Sequence, residues 1–314
     1  FLATSLRKPL KFSCSRCSQT PHFSNSLRSP HRNFLITSFQ PKTKKSDFVK
    51  ASAFFATHPI FTVEQARAAL HPGGASRATS SLLQHYVRTS RLTSVVRGVY
   101  AVVPAGAAPD QFQVDPFLVA AAVRPDGVFS HHSALELLGA AHSIWRRCTL
   151  FTSRRRPRLT VSGREIVFAD FPAQFREPQW QRLGTQRVER RGVILFTTGR
   201  ERTLTDGFRF PSAVGGLEEL EQSASGFPSL DLALLEKLLE RYDLATIWAA
   251  TGWFLERYRT TFHPSERLLA RCERQRPASP LYLARGERGG RLAQRWNLYL
   301  PASITEEEPD EREP

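Results

Sequence analysis

The sequence predicts an α+β protein, with an N-terminal winged helix-turn-helix followed by a mixed α+β domain of antiparallel strands and then helices. Three observations carry that expectation. Residues 76–88 place apolar side chains at helical spacing. Residues 91–102 are β-rich and interrupted once, by Arg97-Gly98. From 76 to 109 there is no Asp or Glu. A turn, a basic polar helix and a basic hairpin in that order are the parts of a winged helix. A basic helix face taken alone is more often simply solvated; the order of the parts and the missing acids reverse that weighting.

Ala51 to Ala56 reads as a first short helix, broken at His58-Pro59 because proline disfavours helix in the residue before it. Thr62 and Gln65 have the spacing of a capping box ahead of a helix Val63–Leu70, which ends at His71-Pro72-Gly73-Gly74. The next helix has Ala78, Leu82 and Tyr86 along its apolar stripe, with Leu83 and Val87 beside them. Arg77, Thr79, Ser80, Gln84, His85 and Arg88 are expected on its outer face as DNA-reading residues, and Arg91 and Arg97 on the wing. Val103 to Pro109 is rich in Ala, Pro and Gly and reads as a linker. The expected division is 49–103 for the winged domain, 104–113 for the linker and 114–301 for the second domain, with an acidic, disordered tail over 302–314.

In the second domain Pro116–Val123 reads as a helix, Arg124 to Gly127 as a turn and Val128-Phe129 as a strand. A helix follows over 131–139, with Ser130, His131 or His132 as its side-chain cap. Arg147–Thr152, Arg164–Phe168 and Gly192–Thr198 read as strands joined by Arg-rich connections. Residues 146–209 hold 15 Arg against six acids, and Arg154, Arg155, Arg156 and Arg158 crowd one turn. Such a turn is either solvated or a contact for phosphate or for a protein partner. Beyond residue 200 the chain turns helical, over 201–206, 217–223, 232–242 and 246–258. Two strands are expected near 281–283 and 294–301, around a turn at Gly286 and Gly289-Gly290. Residues 211–245 carry seven acids against two basic residues, which suits a basic protein partner or plain solvation rather than DNA.

Net charge is +15 over 314 residues, which points to an anionic partner. No apolar run approaches the roughly 20 residues of a membrane span. Residues 1–46 hold nine basic residues, nine Ser and no acid. Of the seven Lys in the chain, only Lys50 and Lys237 lie outside that stretch. Such a segment is either an organelle transit peptide or upstream sequence read in frame, with translation beginning near Val49; the second reading is preferred, and residues 1–48 are expected to be disordered. Cys14 and Cys17 form a lone C-x-x-C without a second half, and His131-His132 lack partners at ligand spacing, so neither a metal nor another cofactor is expected.

The order and wording of several segments resemble the AbiEi family of type IV toxin–antitoxin, or abortive-infection, antitoxins. They are Arg97 to Tyr100, Ser130 to Leu135, Glu201 to Asp206, Gly215 to Glu219, Thr251 to Glu256 and Gly289 to Trp296. Ala250-Thr251 stands where the family usually has a basic residue and Leu. The resemblance implies a bacterial, cytoplasmic repressor that binds inverted repeats in the double-stranded DNA of its own promoter; the oligomeric state is left open by the sequence, monomers pairing on DNA being one arrangement. It also implies a second domain that counters a nucleotidyltransferase-like toxin. On that reading the protein is not an enzyme. The carboxylates Asp115, Asp126, Glu165, Asp170 and Asp206 form no nuclease motif, and no nucleotide-binding loop or nucleophile elbow is present. The rivals are a nuclease acting on DNA and a nucleic-acid-binding module without antitoxin role. RNA binding would need exposed aromatic platforms, whereas Tyr86 and Tyr100 are both expected to be buried.

Overall fold

In the computed structural model, residues 45–73, 76–108, 110–154, 156–283 and 290–305 are described. The N-terminal extension through residue 44, Cys14 and Cys17, Arg155, residues 284–289, where a turn was expected from the sequence, and residues 306–314 lie outside them. The chain begins with α1 (Lys45–Thr57), β1 (Ile60–Thr62), α2 (Val63–Leu70), α3 (Ser76–Arg88), β2 (Leu92–Val96) and β3 (Val99–Val102). The capping box of α2 is present: Thr62 Oγ1 accepts from Gln65 N at 3.2 Å, and Gln65 Oε1 from Thr62 N at 2.8 Å. β1, β3 and β2 form an antiparallel sheet in that order. Side chains alternate across it. Phe61, Tyr100 and Val102 join Phe54, Phe55, Leu82, Leu83 and Tyr86 in a core against α1–α3, whereas Ile60 and Ala101 point the other way.

The face opposite α1–α3 is covered by α4 (Pro116–Val123), with Asp115 capping Phe117 N at 3.0 Å. Phe117, Leu118, Val119 and Ala120 are all buried, because sheet lies on both sides of the helix. β4 (Val128–Phe129), α5 (His132–Leu137), β5 (Arg147–Thr152), β6 (Leu159–Val161), β7 (Arg164–Asp170), α6 (Pro178–Gln181), β8 (Thr185–Arg190) and β9 (Val193–Thr198) follow. Their six strands form one sheet in the order β6-β7-β5-β4-β9-β8. The sheet is mixed, not antiparallel as expected: β5 pairs β7, and β4 pairs β9, in parallel. The hairpin with the intervening β6 returns the chain so that β7 runs alongside β5 in the same direction. Cys148, Leu150, Phe129, Ile166 and Leu195 face α4, while Phe151 and Val128 face the helical half.

That half comprises α7 (Arg200–Arg209), α8 (Leu217–Ser225), α9 (Leu232–Tyr242), α10 (Ala245–Arg257), α11 (Arg259–Phe262) and α12 (Glu266–Arg274). Asp231 caps α9 by accepting from Leu234 N at 2.9 Å. A last sheet of β10 (Leu281–Tyr282), β11 (Arg291–Ala293) and β12 (Leu298–Leu300) lies beside α10, and α13 (Ala302–Thr305) packs on α8. β10 runs parallel to β12, while β11 is the antiparallel neighbour. Ile304 is buried, so the ordered chain continues past the residue 301 at which the sequence reading ended the fold.

The layers thus run α1–α3, three-stranded sheet, α4, six-stranded sheet, helical half. Residues 104–113 contain no helix or strand among the described residues, yet the elements on either side of them share one core and fall in one compact unit. No described helix is long and apolar enough to cross a membrane.

Candidate nucleic-acid interface

On α3, Arg77, Gln84 and Arg88 are exposed, while Ser80 and His85 are half-buried. Thr79 departs from the expectation. It is fully buried, and its hydroxyl lies 3.1 Å from His71 Nδ1, so it fastens α3 to the end of α2 and cannot read a base. The buried stripe is Thr79, Leu82, Leu83 and Tyr86, and Ala78 faces outward instead. The two positions are adjacent on the helix, and the partner offered by His71 decides which of them turns inward.

The hairpin that follows is tied to both helices. Arg91 N donates to Tyr86 O at 3.0 Å, and the Arg91 guanidinium lies 5.8 Å from the Tyr86 ring centre. At the turn Gly98 adopts φ +80°, a left-handed conformation that Gly allows without a steric cost, and its carbonyl accepts from Val63 N at 2.9 Å. The turn therefore sits against the start of α2 with Arg97 exposed. Arg77, Arg88, Arg91 and Arg97 form no ion pair with a described residue, so their charge is open to an outside anion. Tyr86 is buried and Tyr100 half-buried, both within the core against α1–α3.

The Arg-rich turn of the second part divides. Arg154 and Arg156 are exposed and unpaired among the described residues, and Arg155 lies outside them. Arg158 instead donates to Glu165 Oε1 at 2.9 Å, while Arg147 donates to the other oxygen of the same carboxylate at 3.2 Å. These bonds, that of Arg158 foremost, hold the Glu165 carboxyl below its usual pKa. A further pair escaped the sequence reading. Arg182 lies 3.9 Å and Arg187 5.5 Å from the Phe196 ring centre. Arg187 and Phe196 stand opposite each other in the β8–β9 register, and only that pairing reveals the cluster. Burial of Arg182, with Arg187 beside it, lowers its pKa against the pull of Asp126.

The histidine pair does not cap α5. His131 occupies the N-cap position at φ 55° and makes no side-chain cap; its Nδ1 lies 3.0 Å from Ser130 Oγ. Burial, reinforced by Arg202, pushes its pKa down to about 4. His132 Nε2 lies 3.3 Å from Glu219 Oε1, and its ring stacks on Trp145. Within α7, Arg202 is fully buried. It donates to the carbonyls of Gln181 and Leu183 at 2.9 and 2.8 Å and lies 4.0 Å from the Phe175 ring centre. Asp206 stands 3.6 Å from it and accepts from Tyr242 OH. Burial raises the Asp206 carboxyl to about 7, against the opposing pull of Arg202.

Taken together, the chain is a mixed α+β protein with exposed cations that form no ion pair among the described residues on α3 (Arg77, Arg88), at the hairpin that follows it (Arg91, Arg97) and in the β5–β6 turn (Arg154, Arg156), and others elsewhere, among them Arg67 on α2 and Lys237 on α9. No family model matches the chain. No curated protein matches it either. Among solved structures it is similar to the crystal structure of the Rv2827c protein from Mycobacterium tuberculosis, with a TM-score of 0.53 and 16% identity, covering 81% of this chain and 90% of that one. At that identity the likeness is one of fold.

Proposed function

We propose that α2, α3 and the β2–β3 hairpin act as a winged helix-turn-helix, and that the chain is a sequence-specific repressor of the AbiEi antitoxin type, working in a bacterial cytoplasm. The observation that carries the reading is the acid-free stretch 76–109, in which Arg77, Gln84 and Arg88 are exposed on α3 and Arg91 and Arg97 are exposed at the hairpin that follows, the four Arg without ion pairs among the described residues. In this reading α3 enters the major groove, Arg77 and Gln84 meet base edges, and Arg88, Arg91 and Arg97 neutralise phosphates and release counterions. Inverted repeats in the promoter are the target, and the second domain counters a nucleotidyltransferase-like toxin. The function is binding, with no chemical step.

The test is fluorescence anisotropy on the chain's own promoter duplex and on a scrambled duplex. Arg77→Ala and Gln84→Ala are each expected to reduce discrimination between the two by roughly 1–3 kcal/mol, the worth of one good base contact. Unchanged discrimination in both variants, with unchanged circular dichroism, would sink the assignment of α3 to the groove.

A further inference from the structure

The six-stranded sheet has two edges, and they differ. β6 is three residues long and offers little to another strand, whereas β8 presents the six residues Thr185–Arg190. β8 and β9 are joined by Arg191-Gly192, at φ 51° and 77°, the positive values of a two-residue type I′ loop. Such a loop makes Arg190 and Val193 a hydrogen-bonded pair, and alternation along the ladder gives the backbone of Val188 and Gln186 to β9 as well. Arg187 and Glu189 therefore turn their N–H and C=O away from β9. The flanking bonds keep that phase: Gly184 O accepts from Gly199 N at 2.7 Å on the β9 side, while Thr185 N donates to Arg182 O at 3.3 Å. Among the described residues nothing bonds the outward backbone groups of Arg187 and Glu189.

The side chains of these two residues are open too. Both are exposed, and neither forms an ion pair with a described residue. They lie two apart on one strand and so share a face of the sheet, the face that carries Phe196. Arg187 and Arg182 crowd the Phe196 ring, 5.5 and 3.9 Å from its centre, with no carboxylate paired to either. An edge guarded only against pairing would gain from charges of one sign. This edge instead carries one of each sign, on the two residues whose backbone is free.

The run Arg187-Val188-Glu189 is its own antiparallel complement. With Val188 on a two-fold axis, Arg187 stands directly opposite Glu189 of a second copy, and Glu189 opposite Arg187. Both members of each pair have outward backbone groups, so each pair can exchange its N–H···O bonds. The register is specified. A slip of two residues one way sets Arg187 on Arg187, and the other way Glu189 on Glu189, with like charges opposed. A slip of one residue turns the free backbone groups toward groups already bonded to β9.

We propose that two copies of the chain pair edge to edge through β8 in this register, joining their six-stranded sheets into one. Each Glu189 then supplies the carboxylate missing from the guanidiniums gathered on Phe196 of the other copy.

Sedimentation velocity of the full chain tests this, from about 1 to about 200 µM, because a seam of one strand pair falls among the small, transient interfaces. The parent is expected to show a reversible monomer–dimer equilibrium in that range. Arg187→Glu leaves only carboxylates at the charged positions of the seam, and Glu189→Arg only guanidiniums. Each change should raise the dissociation constant at least tenfold. Mixed in equal amounts, the two variants should pair with each other about as tightly as the parent does with itself, since the mixed seam again opposes unlike charges. Circular dichroism identical to the parent's is expected of both variants, whose altered side chains are exposed. A parent that stays monomeric throughout the range overturns the proposal. So does a dimer indifferent to either reversal, or a mixture of the two variants that fails to associate. A two-fold pair also matches the symmetry of an inverted repeat. That consequence rests on the DNA-binding reading, whereas sedimentation does not, so the two can fail separately.

Discussion

Replacing Gly252 by Ala tests the packing of the helical half. Gly252 lies inside α10, where Gly is roughly 1 kcal/mol worse than Ala, so on helix propensity alone the change stabilises. The structure reverses that sign. A Cβ at 252 would stand 2.2, 2.5 and 2.8 Å from three carbons of the Trp296 six-membered ring. The ring cannot slide away cheaply: it is 1% exposed, and its indole N–H donates to Glu256 Oε2 at 2.6 Å. Arg295 holds the other oxygen of that carboxylate. Overpacking of this kind costs about 3 kcal/mol. Less the gain in propensity, the net loss is about 2 kcal/mol, or a fall in Tm of roughly 5 °C for a chain of this size. Urea and thermal denaturation followed by circular dichroism measure it. Gly252→Ala together with Trp296→Leu, which removes the obstructing ring atoms, should recover part of the loss relative to Trp296→Leu alone. A Gly252→Ala protein more stable than the parent would refute the close approach.

Two smaller predictions follow from buried side chains. Thr79→Val keeps the volume of the side chain but loses the bond to His71 Nδ1; it should cost about 1 kcal/mol of stability and leave promoter affinity unchanged, whereas a fall in affinity would restore Thr79 to the groove. His131→Asn suits the φ of 55° and removes a titrating group. The His131 pKa is lowered from 6.5 to about 4, so the unfolded chain takes up a proton that the folded one refuses, and stability present above pH 6.5 is lost as pH falls to 4, by roughly 3 kcal/mol. Asp206, raised from 3.8 to about 7, works in the opposite direction, its stabilisation being lost as pH rises through that window. The two contributions oppose each other between pH 4 and 6.5. Denaturation midpoints of the variant, taken against the parent at each pH, should therefore fall more steeply as pH rises; parallel profiles would show that His131 does not resist protonation in the fold.

Much of the architecture was legible where a single physical cause dominates. Pro116–Val123 is apolar on every side because sheets cover both of its sides, and its bounds are those read from the sequence. Asp231 caps α9, and the alternative partners of a helix start are few. β8 was not legible. Thr185-Gln186-Arg187-Val188-Glu189-Arg190 has an Arg on each face, and at a sheet edge both faces are partly exposed, so the apolar alternation that marks a strand is missing. Arg190 nonetheless lies over the Phe117 ring and donates to Asp115 at 2.7 Å, serving as packing where charge alone suggested solvent. The parallel pairing of β10 with β12 was equally hidden, because two short strands around a Gly-rich turn look like a hairpin and the 3-10 turn at Gln294–Trp296 that separates β11 from β12 has no strong signature. On α3, helical period placed the right face to within one residue, and a hydrogen bond to His71 settled that residue.

One of the segments that resemble a known family, Glu201 to Asp206, lies far from solvent, and this bears on where to look for contacts. Every residue from Glu201 to Phe208 is buried. Arg202 spends its Nη1 on two backbone carbonyls that precede β8, Asp206 receives Tyr242 of α9, and Glu201 Oε1 accepts from Asp231 N at the start of that helix. Those bonds tie α7 to the sheet edge and to α9, and a guanidinium so enclosed has no surface left for an outside anion. A buried ion pair of this sort fixes geometry more than it adds stability, since desolvating both charges offsets most of their attraction. That segment is therefore scaffold, and an outside anion would be met by exposed guanidiniums elsewhere. Arg77 and Arg88 on α3, Arg97 at the hairpin turn, Arg146 just before β5 and Arg187 beside Phe196 are exposed, and substitutions there should change anion binding while leaving folding intact.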